Sequence, residues 1–338
     1  MPILNILQTS NPRLRGLSLH VPSGTLEFGT LDFKHLADLS YYTNNNTVSL
    51  PSAFLVQNRT SLRTLSLENL AWTFPSECLS IRNLTHIHFL GQFPTNCQTV
   101  SEILSNGHQL ECLSLSCLLD CLPSSQFRSL TQSLPFLRHF AFAVLGTSRR
   151  LSGSGDKDLF PSISNFLRNR KELKSLRLSV QDFHTQLQVG FDASIWGVLP
   201  TLVNLSWLKI SYPKDLSPGL ASWLVPRGVT SLSLELDALN LGRDATAFLN
   251  QICLGMPMSL RFIGLSDFPL SPAVIVEQGF STIRVLKIGG NYWTVIRVAK
   301  SGTQVELDPW PKRRALFHAR EWLEWLGCED VEYHELLR

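Results

Sequence analysis

Four side chains capable of chemistry fall in the first half of the sequence: His86, His88, Cys112 and His139. Histidine and cysteine are common zinc ligands, and a histidine beside a cysteine can activate the thiol as a nucleophile. What such residues can do depends on what positions them. His86, Cys112 and His139 each hold the same place in a short phrase that recurs along the chain. If each phrase is a strand and neighbouring strands run parallel about 4.8 Å apart, the three side chains form a row whose outer members are about 10 Å apart at the backbone. That is a wide span for one metal ion. His-x-His within a strand is also not an established ligand spacing, and no carboxylate partner is apparent. A polar lining of the sheet is therefore expected, with a hydrolase or metal enzyme centred on His86, Cys112 and His139 as the alternative.

A second set suits recognition. Arg177, Trp207, Lys209, Phe262 and Lys287 occupy the two outward positions of later copies of the phrase. Bulky aromatics beside cations are the residue types that dominate protein-binding hot spots. Elsewhere those positions carry Ser18, Ser40, Ser66, Ser114, Ser231 and Ser233, a smooth floor of small side chains. The sequence thus expects Trp207 and Phe262 to stand out as exposed anchors, with Arg177, Lys209 and Lys287 supplying positive charge to a protein partner.

The phrase is LxxLxL, as in Leu62-x-x-Leu65-x-Leu67. Apolar residues two apart point to one side of a strand, so the intervening positions face the other way. Eleven copies begin at Leu14, Leu36, Leu62, Leu84, Leu110, Leu137, Leu173, Leu205, Val229, Leu260 and Ile283. Their spacing averages about 27 residues, within the period of leucine-rich repeats. Short apolar stretches precede the polar breaks before many copies: Ala53–Val56, Val100–Leu104, Phe166–Leu167, Trp223–Leu224 and Phe248–Ile252. Each reads as a helix of two or three turns, marginal alone and stabilised by laying its apolar stripe on strand leucines. The fold class expected is α/β: a leucine-rich-repeat solenoid, or horseshoe, with a parallel concave sheet and short helices outside. Residues 1–290 form the solenoid and residues 291–338 a C-terminal cap.

In that cap, Trp293–Val298 reads as one more strand, or as half of a pair with Thr303–Leu307. A capping helix is expected from about Asp308 to Leu326, because Leu316, Ala319, Leu323 and Leu326 share one stripe and Gly327 follows. Residues 146–158 are polar and glycine-rich and read as an exposed loop. Arg149-Arg150-Leu151-Ser152 within it has the form of a short kinase motif, and such motifs are common by chance.

Composition narrows the function classes. The chain has 338 residues, 44% hydrophobic and 17% charged, with a formal net charge of +3. Arg15, Arg63, Arg138, Lys174, Arg261 and Arg284 line up along one edge of the repeats, which would suit a nucleic-acid binder. The near-neutral total favours a solvated edge, so nucleic acid is not the expected partner. No apolar run reaches the length of a membrane span, and the first residues lack the pattern of an export signal. Seven scattered cysteines without CxxC fit reduced thiols in the cytoplasm or nucleus. Asn45, Asn58, Asn83 and Asn204 head N-x-Ser/Thr triplets, which read as chance in that setting. No cofactor is expected, and the expected state is a monomer.

These LxxLxL phrases, over about residues 3–290, resemble the repeat region of fungal F-box/leucine-rich-repeat proteins. In that family an F-box module binds the adaptor of a cullin–RING ubiquitin ligase, and the repeats capture the protein to be ubiquitinated. The resemblance implies a non-enzymatic interaction scaffold with a protein partner on its concave face and contact with cullin–RING ligase subunits. The sequence departs from the family pattern three residues after the last leucine, where an asparagine or cysteine is usual. Pro22, Leu70, Leu118 and Val144 stand there, with Asn69 and Cys117 one place earlier.

Overall fold

A computed structural model describes residues 13–21, 33–46, 52–93, 98–147, 155–236, 245–266, 268–297, 305–311 and 316–328. The expected loop motif at Arg149–Ser152 lies outside them. The chain divides into two compact units, Met1–Leu167 with Leu187–Gly190, and Arg168–Gln186 with Phe191–Arg338. Both are α/β.

The first unit carries six parallel strands in sequence order: β1 (Gly16–Val21), β2 (Asp38–Thr43), β3 (Thr64–Thr73), β4 (His86–Phe93), β5 (Cys112–Leu119) and β6 (His139–Thr147). The second carries five more parallel strands: β7 (Ser175–Val180), β8 (Trp207–Ser211), β9 (Ser231–Glu235), β10 (Phe262–Leu265) and β11 (Val285–Ile288). Every one of these eleven strands starts two residues after the first apolar residue of its LxxLxL phrase. The register is set by one repeated hydrogen-bond pattern. The Arg15 carbonyl accepts the amides of Ala37 and Asp38, the Ala37 carbonyl those of Arg63 and Thr64, and the Arg63 carbonyl those of Thr85 and His86. In the second unit Lys174, Ser206, Thr230 and Arg261 do the same for β8 to β11.

The leucines of the phrase are the core. Leu65, Leu67, Leu113, Leu115, Leu176, Leu178, Leu208 and Leu232 are all buried. Helices lie where the apolar stretches suggested, among them Ser52–Gln57, Gln98–Asn106, Leu159–Leu167, Pro218–Leu224 and Ala245–Cys253. The longer ones bury one stripe, as with Val100, Ile103 and Leu104.

Polar side chains stitch successive repeats where a backbone turn leaves carbonyls and amides unpaired. Asn69 is buried. Its Nδ2 donates to the Thr43 and Asn45 carbonyls at 2.9 and 3.1 Å, and its Oδ1 accepts the Ala71 amide at 2.7 Å. Ser211 Oγ accepts the Val180 amide at 2.9 Å, and Ser266 Oγ accepts the Leu236 amide at 2.6 Å. Three asparagines of the N-x-Ser/Thr triplets have similar uses. Asn58 joins Phe33 to Phe54, Asn83 reaches the Thr60 carbonyl, and Asn204 reaches that of Lys171.

The C-terminal part departs from the expected helix start. The strand pair suggested by Trp293–Val298 and Thr303–Leu307 is present, since β12 (Asn291–Arg297) pairs antiparallel with β11 and β13 (Val305–Pro309) with β12, and Asp308 and Pro309 belong to that strand, not to the beginning of a helix. Gly289 turns the chain between β11 and β12 with φ 54°, a left-handed conformation that glycine adopts without strain. The helix runs over Leu316–Trp325. It packs into one buried cluster of Phe262, Val285, Tyr292, Trp310, Ala319, Leu323, Leu326 and Cys328. Phe262 and Val285 belong to the positions between the leucines, so the helix covers the strand face and not the leucine side of the last repeat. Arg284 Nη1 fixes its end by donating to the Leu326 carbonyl at 2.9 Å.

Candidate functional site

On β7 to β11 the residues between the leucines form three rows across the sheet. The first is Ser175, Trp207, Ser231, Phe262 and Val285. The second is Arg177, Lys209, Ser233, Gly264 and Lys287. A third, shorter row brings Ser179 and Ser211 beside Glu235.

The expectation that Trp207 and Phe262 are exposed anchors is corrected by the first row. Trp207 is 1% exposed and Phe262 is fully buried. Their place in the strand alternation is the one expected; their surroundings are not. Phe262 lies under the C-terminal cluster, with its ring 6.5 Å from Tyr292, which in turn stacks on Trp310 at 5.3 Å. Trp207 is flanked by Ser175 and Ser231, small neighbours that leave an indole room to lie along the sheet. Its Nε1 is buried without a hydrogen-bond partner, as is Ser231 Oγ. A buried unpaired donor costs about 1–3 kcal/mol, so this row is held by apolar burial and not by its polar atoms.

Two charged residues of the set, Lys209 and Lys287, meet a partner within the fold. Lys209 Nζ lies 3.5 Å from Glu235 Oε1, with the two side chains 17% and 26% exposed. Glu235 Oε2 accepts a hydrogen bond from Ser211 Oγ at 2.9 Å and another from Ser179 Oγ. Arg177 is half-buried beside Lys209 in register. Lys287 Nζ sits 5.3 Å above the Tyr292 ring. Between Lys209 and Lys287 the floor is Ser233 and Gly264, and a Cβ on Gly264 would come within 2.8 Å of Ser233 Oγ. The result is a crevice of about 120 Å³ lined by Lys209, Ser233, Glu235, Gly264, Ser266 and Lys287. That volume admits a few water molecules or a single small polar group, not a cofactor. Ser179 and Ser211 are buried beneath it, with hydroxyls directed at Glu235. The cluster is built to order and neutralise charge.

In the first unit His86, Cys112 and His139 do stand in register on β4, β5 and β6. Their side-chain contacts differ. Cys112 Sγ is 3.8 Å from His88 Nε2, whereas His86 Nδ1 is 2.8 Å from Thr85 Oγ1. Among the described residues no three His, Cys, Asp or Glu side chains group closely enough to hold a metal ion. Cys112 is buried, which keeps the thiol away from a bulky substrate.

The basic edge is partly committed to the fold. Arg138 pairs with Glu111 at 3.8 Å, and Arg261 and Arg284 each donate to backbone carbonyls. Lys174, Arg15 and Arg63 are exposed. No helix among the described residues is long and apolar enough to cross a membrane.

Sequence reasoning missed Glu235, Ser179 and Ser211. The signal was a third outward position, one residue past the last apolar residue of the phrase, where serine recurs at Ser179, Ser211 and Ser266. Neither a family model nor a curated protein matches this sequence.

Proposed function

We propose that this chain is a leucine-rich-repeat interaction protein of the F-box kind, without enzymatic activity, which holds a protein partner through its repeats. The observation that carries the reading is the constant start of all eleven parallel strands two residues into LxxLxL. A constant phase between phrase and strand, with asparagine and serine side chains tying several turns to the preceding repeat, is what a leucine-rich-repeat solenoid requires.

The strand face of the first unit suits partner binding better than that of the second. Gly16 and Asp38 are exposed, Thr64, His86 and His139 are half-buried and Cys112 is buried, where their counterparts Ser175, Trp207, Ser231, Phe262 and Val285 are all buried. The partner surface is therefore assigned to Asp38, Thr64, His86 and His139 and the serines beside them, and Trp207 and Phe262 are withdrawn from it. Lys209 and Lys287 remain as rim charges around the crevice of the second unit, with Arg177 in register beside Lys209.

The test is affinity purification of the tagged chain from its native cell, followed by mass spectrometry. Recovery of cullin–RING ligase subunits, together with a further protein lost on Asp38→Arg or His86→Glu, is the expected result. Binding of that protein unchanged by either variant would overturn the assignment of the face. Absence of cullin–RING subunits would overturn the F-box role.

A further inference from the structure

The second unit carries an apolar patch away from its strand face. Trp223 is 67% exposed, Leu254 85% and Met258 74%, and Val203 and Leu220 are also exposed. These residues come from three successive repeats, yet they are tied into one surface around Arg227. The Arg227 guanidinium lies 5.5 Å from the Trp223 ring. Its Nη1 donates to the carbonyl of Gly255, next to Leu254, at 3.4 Å. Ser259, next to Met258, donates to the Arg227 carbonyl at 2.7 Å. Gly228 sits against the Val203 carbonyl. Leu220 is one helical turn before Trp223 on the same helix face.

Val203, Leu254 and Met258 lie in the turns that lead into β8 and β10, and Leu220 and Trp223 on the helix that leads into β9, so the patch follows the N-terminal edge of the parallel strands. The charges at its borders are mostly positive. Exposed Lys171 and Lys174 border the Val203 end, where the Asn204 side chain reaches the Lys171 carbonyl and the Ser206 amide reaches that of Lys174. Arg261 borders the Met258 end, with Nη1 2.9 Å from the Met258 carbonyl. Glu172 is the acidic residue beside Lys171.

Single exposed apolar residues are ordinary on protein surfaces, but a contiguous group holding tryptophan, leucine and methionine marks an interaction site. Tryptophan and arginine are the side chains most often found at binding hot spots, and methionine adapts to irregular apolar surfaces. We infer that this edge docks an acidic amphipathic segment of a protein partner, whose apolar side chains cover Trp223, Leu254 and Met258 and whose carboxylates meet Arg227, Lys174 and Arg261. The inference rests on the reading of the chain as an interaction protein and adds to it a second contact surface with a defined partner chemistry.

The test uses a random 16-residue peptide library displayed on phage and panned on the full chain. The most enriched peptide is then measured by fluorescence anisotropy. Enriched sequences should combine glutamate or aspartate with leucine, phenylalanine or tryptophan. Trp223→Ala and Leu254→Ser, both at exposed positions, should weaken that peptide at least tenfold while leaving the thermal melt unchanged. Asp38→Arg on the strand face should leave its affinity unchanged. Four results overturn the inference: no enrichment, enrichment of peptides without acidic residues, equal affinity for the wild type and the Trp223 and Leu254 variants, or peptide loss that follows Asp38→Arg. The last would leave the interaction reading standing while removing this surface. Vesicles of phosphatidylcholine and phosphatidylserine that bind the chain and lose it on Leu254→Ser would also overturn it, since the patch would then face lipid.

Discussion

Replacing Trp207 separates a core indole from a binding anchor. The indole is 1% exposed on β8, and full burial of a tryptophan removes roughly 150–250 Å² from water. At about 25 cal/mol per Å² that contributes on the order of 4–6 kcal/mol. Against this stands the Nε1 donor, buried without a partner at a cost of about 1–3 kcal/mol. Trp207→Ala loses the area, opens a cavity and removes the unpaired donor, so it should destabilise the protein by about 3–5 kcal/mol. Trp207→Phe keeps most of the ring contact and also removes the donor, and it should cost about 1–2 kcal/mol or less. Urea unfolding followed by far-UV circular dichroism measures both, with the midpoint shift read at unchanged slope. A Trp207→Ala midpoint within about 0.5 kcal/mol of wild type would refute the argument, because a surface indole would behave in that way. A Trp207→Phe variant as damaged as Trp207→Ala would show that the indole nitrogen is bonded.

The other predictions follow from the same contacts. Asn69→Ala should cost about 3 kcal/mol, and Asn69→Asp at least as much, because a carboxylate cannot donate to the Thr43 and Asn45 carbonyls; thermal melts decide it. Glu235→Leu should destabilise by about 2 kcal/mol by removing the acceptor shared by Ser179, Ser211 and Lys209, whereas Glu235→Gln, which keeps an acceptor, should cost about half that in urea titrations. Leu323→Asp should cost 3 kcal/mol or more, roughly the penalty for an unpaired buried charge, while Trp325→Ala, at an exposed position of the same helix, should stay within about 0.5 kcal/mol. Burial pushes the Cys78 and Cys253 thiols up to about 12. An unfolded cysteine titrates near 8.5, so the folded state holds these protons more tightly. Their contribution is complete below about pH 8.5 and is lost as pH rises towards 12, and Cys78→Ala should flatten the fall in urea midpoint between about pH 9 and 11.

The strands were legible because period-two leucines with a polar break before them leave one register that buries every leucine. Leu65 and Leu67, or Leu176 and Leu178, have no other way to leave water. The alternation also placed Trp207 and Phe262 on the correct face. Their exposure was not legible, because it depends on residues far along the chain. Phe262 is covered by Tyr292, Trp310 and Leu323, and nothing in the phrase around Leu260 announces that contact. The same limit hid the end of the strand Val305–Pro309, whose pairing with β12 the alternation at Thr303–Leu307 suggests. Asp308-Pro309-Trp310-Pro311 has the composition of a helix start, yet Glu306, Leu307 and Asp308 find strand partners in Ile296, Val295 and Thr294. Tertiary pairing overrides local preference there. Asn69 was visible as an asparagine one place early, and its hydrogen bonds show that the shift does not prevent it from bridging to the repeat before.

The covering of the second unit's strand face also bears on where recognition can occur. Affinity at an interface comes mainly from a few large side chains that are exposed before binding and desolvated after it. Trp207, Phe262, Tyr292 and Trp310 have already been desolvated by folding, so their area stabilises the unit and has nothing left to give a partner. What the sheet still presents there is Lys209, Glu235 and Lys287 around a crevice floored by Ser233 and Gly264, a polar rim without an apolar centre. Such a rim sets orientation and association rate more than affinity. Among the described residues, the large apolar side chains of this unit that remain exposed sit elsewhere, at Val203, Leu220, Trp223, Leu254 and Met258 near the strand edge, at Ile296 on β12 and at Trp322 and Trp325 on the terminal helix. Among the described residues, the Trp223 edge combines large exposed apolar side chains with cations fixed at both ends of the patch, and that is where a tightly held partner gains most.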